Sequence, residues 1–107
     1  MWTVRLTAAA EKDFEGIVVW TIEQFGEAQA LVYAETLSLA LAALTEGPAF
    51  ADVKRRDNII TGLCSLHVAR QGRKGRHFIL FRVAKRGGSV IEILRLLHDS
   101  MDLPRHL

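Results

Sequence analysis

A single cysteine in 107 residues, Cys64, rules out an internal disulfide. It sits in an alternating apolar run, where a buried, inert thiol is expected rather than a nucleophile or ligand. A reducing cytoplasm suits such a chain. Four histidines, His67, His77, His98 and His106, show no paired short spacing, and Cys64-x-x-His67 lacks a second pair to complete a zinc site. No metal is expected. Nor does a glycine-rich loop lead into a helix: Gly72 and Gly75 fall in a hairpin tip, where glycine serves turn geometry, so no cofactor is expected either. Residues Met1 to Leu6 lack a charged segment followed by a long apolar run, and the apolar stretch Ala28 to Leu44 is interrupted by Glu35. Neither export nor membrane insertion is expected, and no internal repeat or low-complexity segment is found.

What is present is globular composition: half the residues are apolar and 24% charged, far from the regime of disordered chains. At this length a single domain over residues 1–107 is expected, burying about two-thirds of its unfolded surface. The net charge of +2 conceals an asymmetry. Through Glu46 there are two basic residues, Arg5 and Lys12, against seven acidic ones, giving −5; from Gly47 onward twelve basic against five acidic give +7. The basic second half is the half expected to meet a partner, whether nucleic acid or an acidic protein surface.

Trp2 to Leu6 alternates apolar and polar side chains and predicts a first strand. Thr7 is positioned to cap a helix whose first turn carries Glu11 and Asp13, and Phe14, Ile17, Val18, Ile22 and Phe25 recur at helical spacing before Gly26. A second helix follows at once along Ala30, Ala34, Leu37, Leu41 and Leu44, ending at Gly47-Pro48, so the two must form an antiparallel hairpin. Residues 49–62 read as a charged surface connection. Three strands are then predicted, Leu63 to Ala69, His77 to Ala84 and Val90 to Leu97, the first two flanking the basic tip Arg70 to Arg76 and the last preceded by a Gly87-Gly88 turn. The last strand is apolar except at Glu92 and Arg95, which predicts cover on both faces. Beyond it come His98, an acidic turn and a short amphipathic tail.

Several stretches carry a resemblance: Leu6-Thr7 with Ala10, Asp13 and Ile17; Phe25-Gly26 with Ala30 and Tyr33; His77-Phe-Ile-Leu-Phe-Arg82; and the terminus Ile93-Leu-Arg-Leu-Leu-His98 followed by Asp99 to Leu107. In order and spacing they resemble the ParE-type toxins of the RelE/ParE superfamily. The resemblance implies an α+β fold of order β-α-α-β-β-β, a helical hairpin packed on a small twisted, mainly antiparallel sheet. It also implies a type II toxin that binds and inhibits DNA gyrase, forms a hetero-oligomer with a cognate antitoxin that neutralises it, and meets DNA only through that antitoxin. The Gly72 to Gly75 extension is longer and more basic than the usual family hairpin.

The RelE branch of the same superfamily implies an alternative, a ribosome-dependent mRNA endonuclease, for which Arg82, Arg95 and His98 are the candidate catalytic residues. Arg95 and His98 lie three apart on one strand, so their side chains are expected to face opposite ways, and the only tyrosine, Tyr33, falls in helix two rather than in the tail. No catalytic residue is therefore expected, and His98 reads first as a strand-end residue hydrogen-bonded to a nearby carbonyl or Asp99. A third alternative is a binding domain whose toxicity has decayed. The expected target surface comprises Arg70, Arg73, Lys74 and Arg76 with His98, Asp102 and Arg105. Glu92 beside Arg95 reads as a surface charge pattern, and Trp2 and Trp20 read as core.

Overall fold

The computed structural model describes residues 1–50, 52–85 and 88–107. Strand β1 (Thr3–Leu6) leads into helices α1 (Ala8–Phe25) and α2 (Glu27–Ala43), a 3-10 turn (Leu44–Glu46), strands β2 (Val53–Arg55), β3 (Cys64–His67), β4 (His77–Val83) and β5 (Val90–His98), and a short helix α3 (Leu103–His106). The sheet order is β1-β5-β4-β3-β2, with β1 parallel to β5 and the remaining pairs antiparallel.

Local chemistry sets the boundaries. Thr7 Oγ1 accepts from the Ala10 amide at 3.2 Å, starting α1 where the sequence places it. Gly26, at φ +90°, ends α1 and starts α2 with no intervening loop: its N–H reaches the Ile22 carbonyl and its carbonyl accepts from Ala30. Glu27–Glu46 is long and apolar enough to cross a membrane by length and composition, but Leu37, Ala40 and Leu44 pack inward against the sheet.

Two apolar clusters sandwich the sheet. On the helical face Ala10, Leu37, Ala40 and Leu44 meet Leu66, Ile79, Phe81, Ile91, Ile93 and Leu96. On the other, Leu80 and Leu97 are covered by Leu63, Leu103 and the half-buried Ile59, Phe78 and Leu94. Cover on both faces is thus realised for β5. A register shift opposite Leu80/Phe81 inserts Leu94 as an extra residue, so that Ile93 and Leu96, three apart, both face the helices.

The fold differs from the sequence expectation in three places. Val53–Arg55 inside the expected connection pairs with β3; it has one apolar side chain and two exposed cations, the pattern of a charged edge strand that carries no alternation signal. Trp20 is not core: its side chain is 55% exposed and meets Phe25 edge to face at 5.9 Å, while Trp2 is half-buried beside Gly47. Asp13 does not serve the helix end. It turns to the sheet and accepts from the Leu96 amide at 3.0 Å and from Arg95 Nε and Nη2 at 2.7 and 3.0 Å. The expected Gly87-Gly88 turn lies partly outside the described residues, since Gly87 is not among them; Gly88 takes φ +76°.

Strand β1 pairs β5 only as far as Ile93, so the edge of β5 beyond that point needs another acceptor, and Asp13 supplies it. Replacing Asp13 by Ala should lower the unfolding free energy by about 2 kcal/mol, because hydrogen bonds involving a charged group contribute ~1.5–3 kcal/mol. Asp13→Asn, which keeps an oxygen for Leu96, should lose clearly less. Urea unfolding of the two variants measures this, and equal losses would assign the effect to charge alone.

Candidate interaction surface

The C-terminal end of β5 and the basic loop before β4 come together through one carboxylate. Asp99 accepts from Arg76 Nε at 3.0 Å and from His67 Nε2 at 2.9 Å, and its backbone N–H donates to the Arg76 carbonyl at 2.8 Å. The hydrogen bonds from Arg76 and His67 hold the Asp99 carboxyl well below the usual carboxylate range, at about 2. His67 is oriented in turn by the Ala69 amide, which donates to Nδ1 at 3.0 Å and so leaves the proton on Nε2, facing Asp99.

The loop itself is strapped to the body. Arg73 donates to Thr36 Oγ1, the Val32 carbonyl and Glu35 on α2 at 2.9 to 3.0 Å. Arg70 pairs with Asp52 at 3.1 Å and lies over the Phe50 ring. Gly75 sits so close that an added Cβ would fall 2.5 Å from Val68 Cγ2 and 3.2 Å from the Tyr33 hydroxyl. Of the four loop cations expected in the target surface, Lys74 is exposed and is the one without an ion pair; Arg70 and Arg73 are committed to internal contacts, and Arg76 pairs with Asp99 while its side chain stays 68% exposed.

Tyr33 is the residue that sequence reasoning set aside. Its hydroxyl accepts from the Arg76 amide at 3.0 Å and donates to His77 Nδ1 at 2.7 Å, and the His77 ring stands edge to face with His98 at 5.3 Å. Burial, then the neighbouring His98, pushes His77 down to about 4, so it is neutral near pH 7 and free to accept. His98 Nδ1 accepts from the Ser100 amide at 3.1 Å and lies 2.7 Å from Ser100 Oγ; Asp99 is more distant, at 3.7 Å. These rings floor a groove of about 400 Å³ walled by Trp20, Phe25, Gln29 and Lys74. A tyrosine needs a partner for its hydroxyl when half-buried, and that requirement was the available signal at Tyr33.

The three candidate catalytic residues of the alternative nuclease reading do not assemble. Arg82 donates to Glu92 on one side while Arg5 donates to it on the other, giving a charge row across β4, β5 and β1 in which Arg95 has no part. Arg82 is therefore opposite Glu92, six residues along β5 from His98, or about 20 Å at ~3.3 Å per residue. Arg95 and His98 do border a common groove with Ile17 and Trp20, but the Arg95 guanidinium is committed to Asp13 and to the His106 carbonyl. Asp102 and Arg105 lie on the exposed tail, paired with each other at 3.4 Å. Among the described residues no cluster of three or more His, Cys, Asp or Glu is arranged to hold a metal ion.

Two outcomes follow from this geometry. Arg73→Ala should destabilise the fold by about 1–3 kcal/mol through its lost hydrogen bonds, whereas Lys74→Ala should stay within about 0.5 kcal/mol; equal effects in chemical unfolding would show that the strap carries no load. His77 sits below its unfolded value of 6.5, so the folded state binds fewer protons there, and its contribution is complete above pH 6.5 and is lost as pH falls towards about 4. The melting temperature should fall across that window in the wild-type chain and fall less in His77→Gln. Superimposable pH profiles would refute the assignment.

The family model for the ParE toxin of the type II toxin-antitoxin system parDE matches residues 4–103. Toxin ParE1 of Caulobacter vibrioides is 29% identical over 103 residues, which is 96% of this chain and 95% of that protein. Among solved structures, the chromosomal ParDE toxin-antitoxin system from P. aeruginosa superposes with a TM-score of 0.68 at 20% identity, covering 92% of this chain and 96% of that one. The toxin-antitoxin complex RelBE2 from Mycobacterium tuberculosis gives 0.57 at 23% identity, covering 91% and 96%. These likenesses fix the fold as that of ParE and RelE toxins, and the match over nearly the whole chain makes this protein a member of the ParE toxin family of type II toxin-antitoxin systems.

Proposed function

We propose that this toxin acts by binding, with DNA gyrase as its target and a cognate antitoxin as its neutralising partner, and that it works in the cytoplasm without cofactor or membrane. The observation that carries the binding reading is the commitment of the candidate catalytic cations: Arg82 is held by Glu92 and Arg95 by Asp13 and His106, at separate parts of the sheet. A nuclease needs such groups free and convergent on one phosphate. The choice of gyrase rests on family membership, which also supports a role in plasmid stabilisation. The antitoxin reading rests further on exposed apolar side chains along the helical hairpin, Trp20, Phe25, Leu31, Val32 and Leu39, which a partner segment could cover. Of the expected target surface, Lys74, Arg76, His98, Asp102 and Arg105 remain as contact residues, while Arg70 and Arg73 brace the loop against Asp52 and α2.

A second reading, RelE-type mRNA cleavage, is favoured by one observation, the grouping of Tyr33, His77 and His98 beneath one groove. One pair of assays separates the two. With purified toxin, gyrase supercoiling should fall while mRNA on programmed ribosomes stays intact, and co-purified antitoxin should restore supercoiling. Cleavage in the ribosomal A site that disappears in His98→Ala or His77→Ala, with gyrase unaffected, would establish the nuclease instead.

A further inference from the structure

Beyond Asp99, which is itself tied to Arg76 and His67, the tail is attached at two points of different character. Leu103 is buried against Leu63, Leu80 and Leu97, an apolar anchor that fixes depth but permits rotation. The second attachment is directional: Arg95 Nη1 donates to the His106 carbonyl at 2.9 Å. The same guanidinium is gripped from behind, since Nε and Nη2 both donate to the Asp13 carboxylate. Asp13 in its turn is locked by the Leu96 amide. A planar fork held at two of its nitrogens has little freedom left in the third, so the direction of the His106 contact is inherited from α1.

Nothing inside the tail could set that direction. Helix α3 spans four residues, far below the length at which a helix holds its own shape in water. Its internal ion pair, Arg105 with Asp102, has side chains 82% and 60% exposed and is too well solvated to fix a conformation. The two exposed polar residues expected to meet the target, Asp102 and Arg105, therefore take their placement from a contact outside the helix.

We propose that Arg95 is a positioning residue: with Asp13 it forms a strut from α1 that holds Asp102 to Leu107 in the pose required for target binding. The inference rests on the reading of the chain as a toxin that acts by binding. It gives the Arg95 side chain a part in activity without contact to the target, and it explains why a basic residue interrupts the apolar run Ile93 to Leu97.

The test uses the full-length toxin and its Arg95→Lys and Arg95→Ala variants. Lysine keeps a charge for Asp13 but offers a point ammonium in place of a fork, so it cannot hold Asp13 and His106 together. Arg95→Lys should melt close to wild type, while backbone order parameters of residues 104–107 fall below about 0.6, the range of flexible chain. Growth arrest should weaken, and the toxin concentration for half-inhibition of gyrase should rise about tenfold, the loss expected when one charge-assisted hydrogen bond is removed. Arg95→Ala should lose at least as much. An ordered tail in both variants would overturn the strut, and so would a loosened tail with undiminished growth arrest. A fall in melting temperature that accounts for all lost activity in Arg95→Lys would make the residue merely structural and also refute the proposal. If the wild-type toxin arrests growth yet leaves gyrase untouched, the gyrase reading fails, and growth arrest across the Arg95 series still decides the strut. A wild-type chain that arrests nothing refutes both.

Discussion

Strand β5 continues past the end of its neighbour β1, and the structure depends on how that unpaired edge is satisfied. A buried strand cannot leave a backbone amide without an acceptor, and among the described residues no strand flanks the β1-side edge beyond Ile93. A carboxylate from α1 fills the gap, and in doing so draws the only cation of the strand's apolar second half to the same place. The helical hairpin, the sheet and the tail thereby share one joint. Thr7 reinforces it from the other side: its amide donates to the Ile93 carbonyl and its hydroxyl lies within bonding distance of the Ile93 and Leu94 carbonyls.

A second carboxylate organises the opposite corner. Asp99 collects His67 from β3 and Arg76 from the loop, while Tyr33 on α2 closes the ring through the Arg76 amide and His77. Both corners use an aspartate to bind an arginine that composition would count as free surface charge. Local net charge therefore overstates the positive potential this half of the molecule presents. Of the basic residues in the loop, Lys74 and the outward part of Arg76 are those still able to steer an acidic partner.

Elements with their own periodicity were legible in the sequence. The two helices, their junction at Gly26, strand β1 and the three later strands follow from spacing and turn residues, and the strong apolar run of β5 predicts its cover on both faces. What stayed hidden depends on tertiary partners. Strand β2 has too few residues and too much charge to announce itself, and it exists because β3 offers an edge. The bulge at Leu94 moves Leu96 to the helical face, which alternation along the chain cannot foresee. Trp20 satisfies helical spacing yet stands exposed at the rim of the grooves beside His77 and His98 and not in the core. At the candidate surface His98, Asp99 and the loop are readable from the sequence as candidates, but Tyr33 joins them from α2 and His67 from β3. Their pairing is a matter of distance in space.

The different settings of the two tryptophans have an optical consequence. Trp2 lies half-buried against the turn at Gly47, and Trp20 stands in solvent beside Phe25 at the other end of the helical hairpin. The two indoles differ in exposure, so Trp20 is expected to emit to the red of Trp2. A Trp2→Phe chain would carry a solitary red-emitting fluorophore at the mouth of the groove, sensitive to whatever displaces water there. The toxin thus contains its own reporter for occupancy of that face, with no dye to attach and no perturbation of the joint at Asp13.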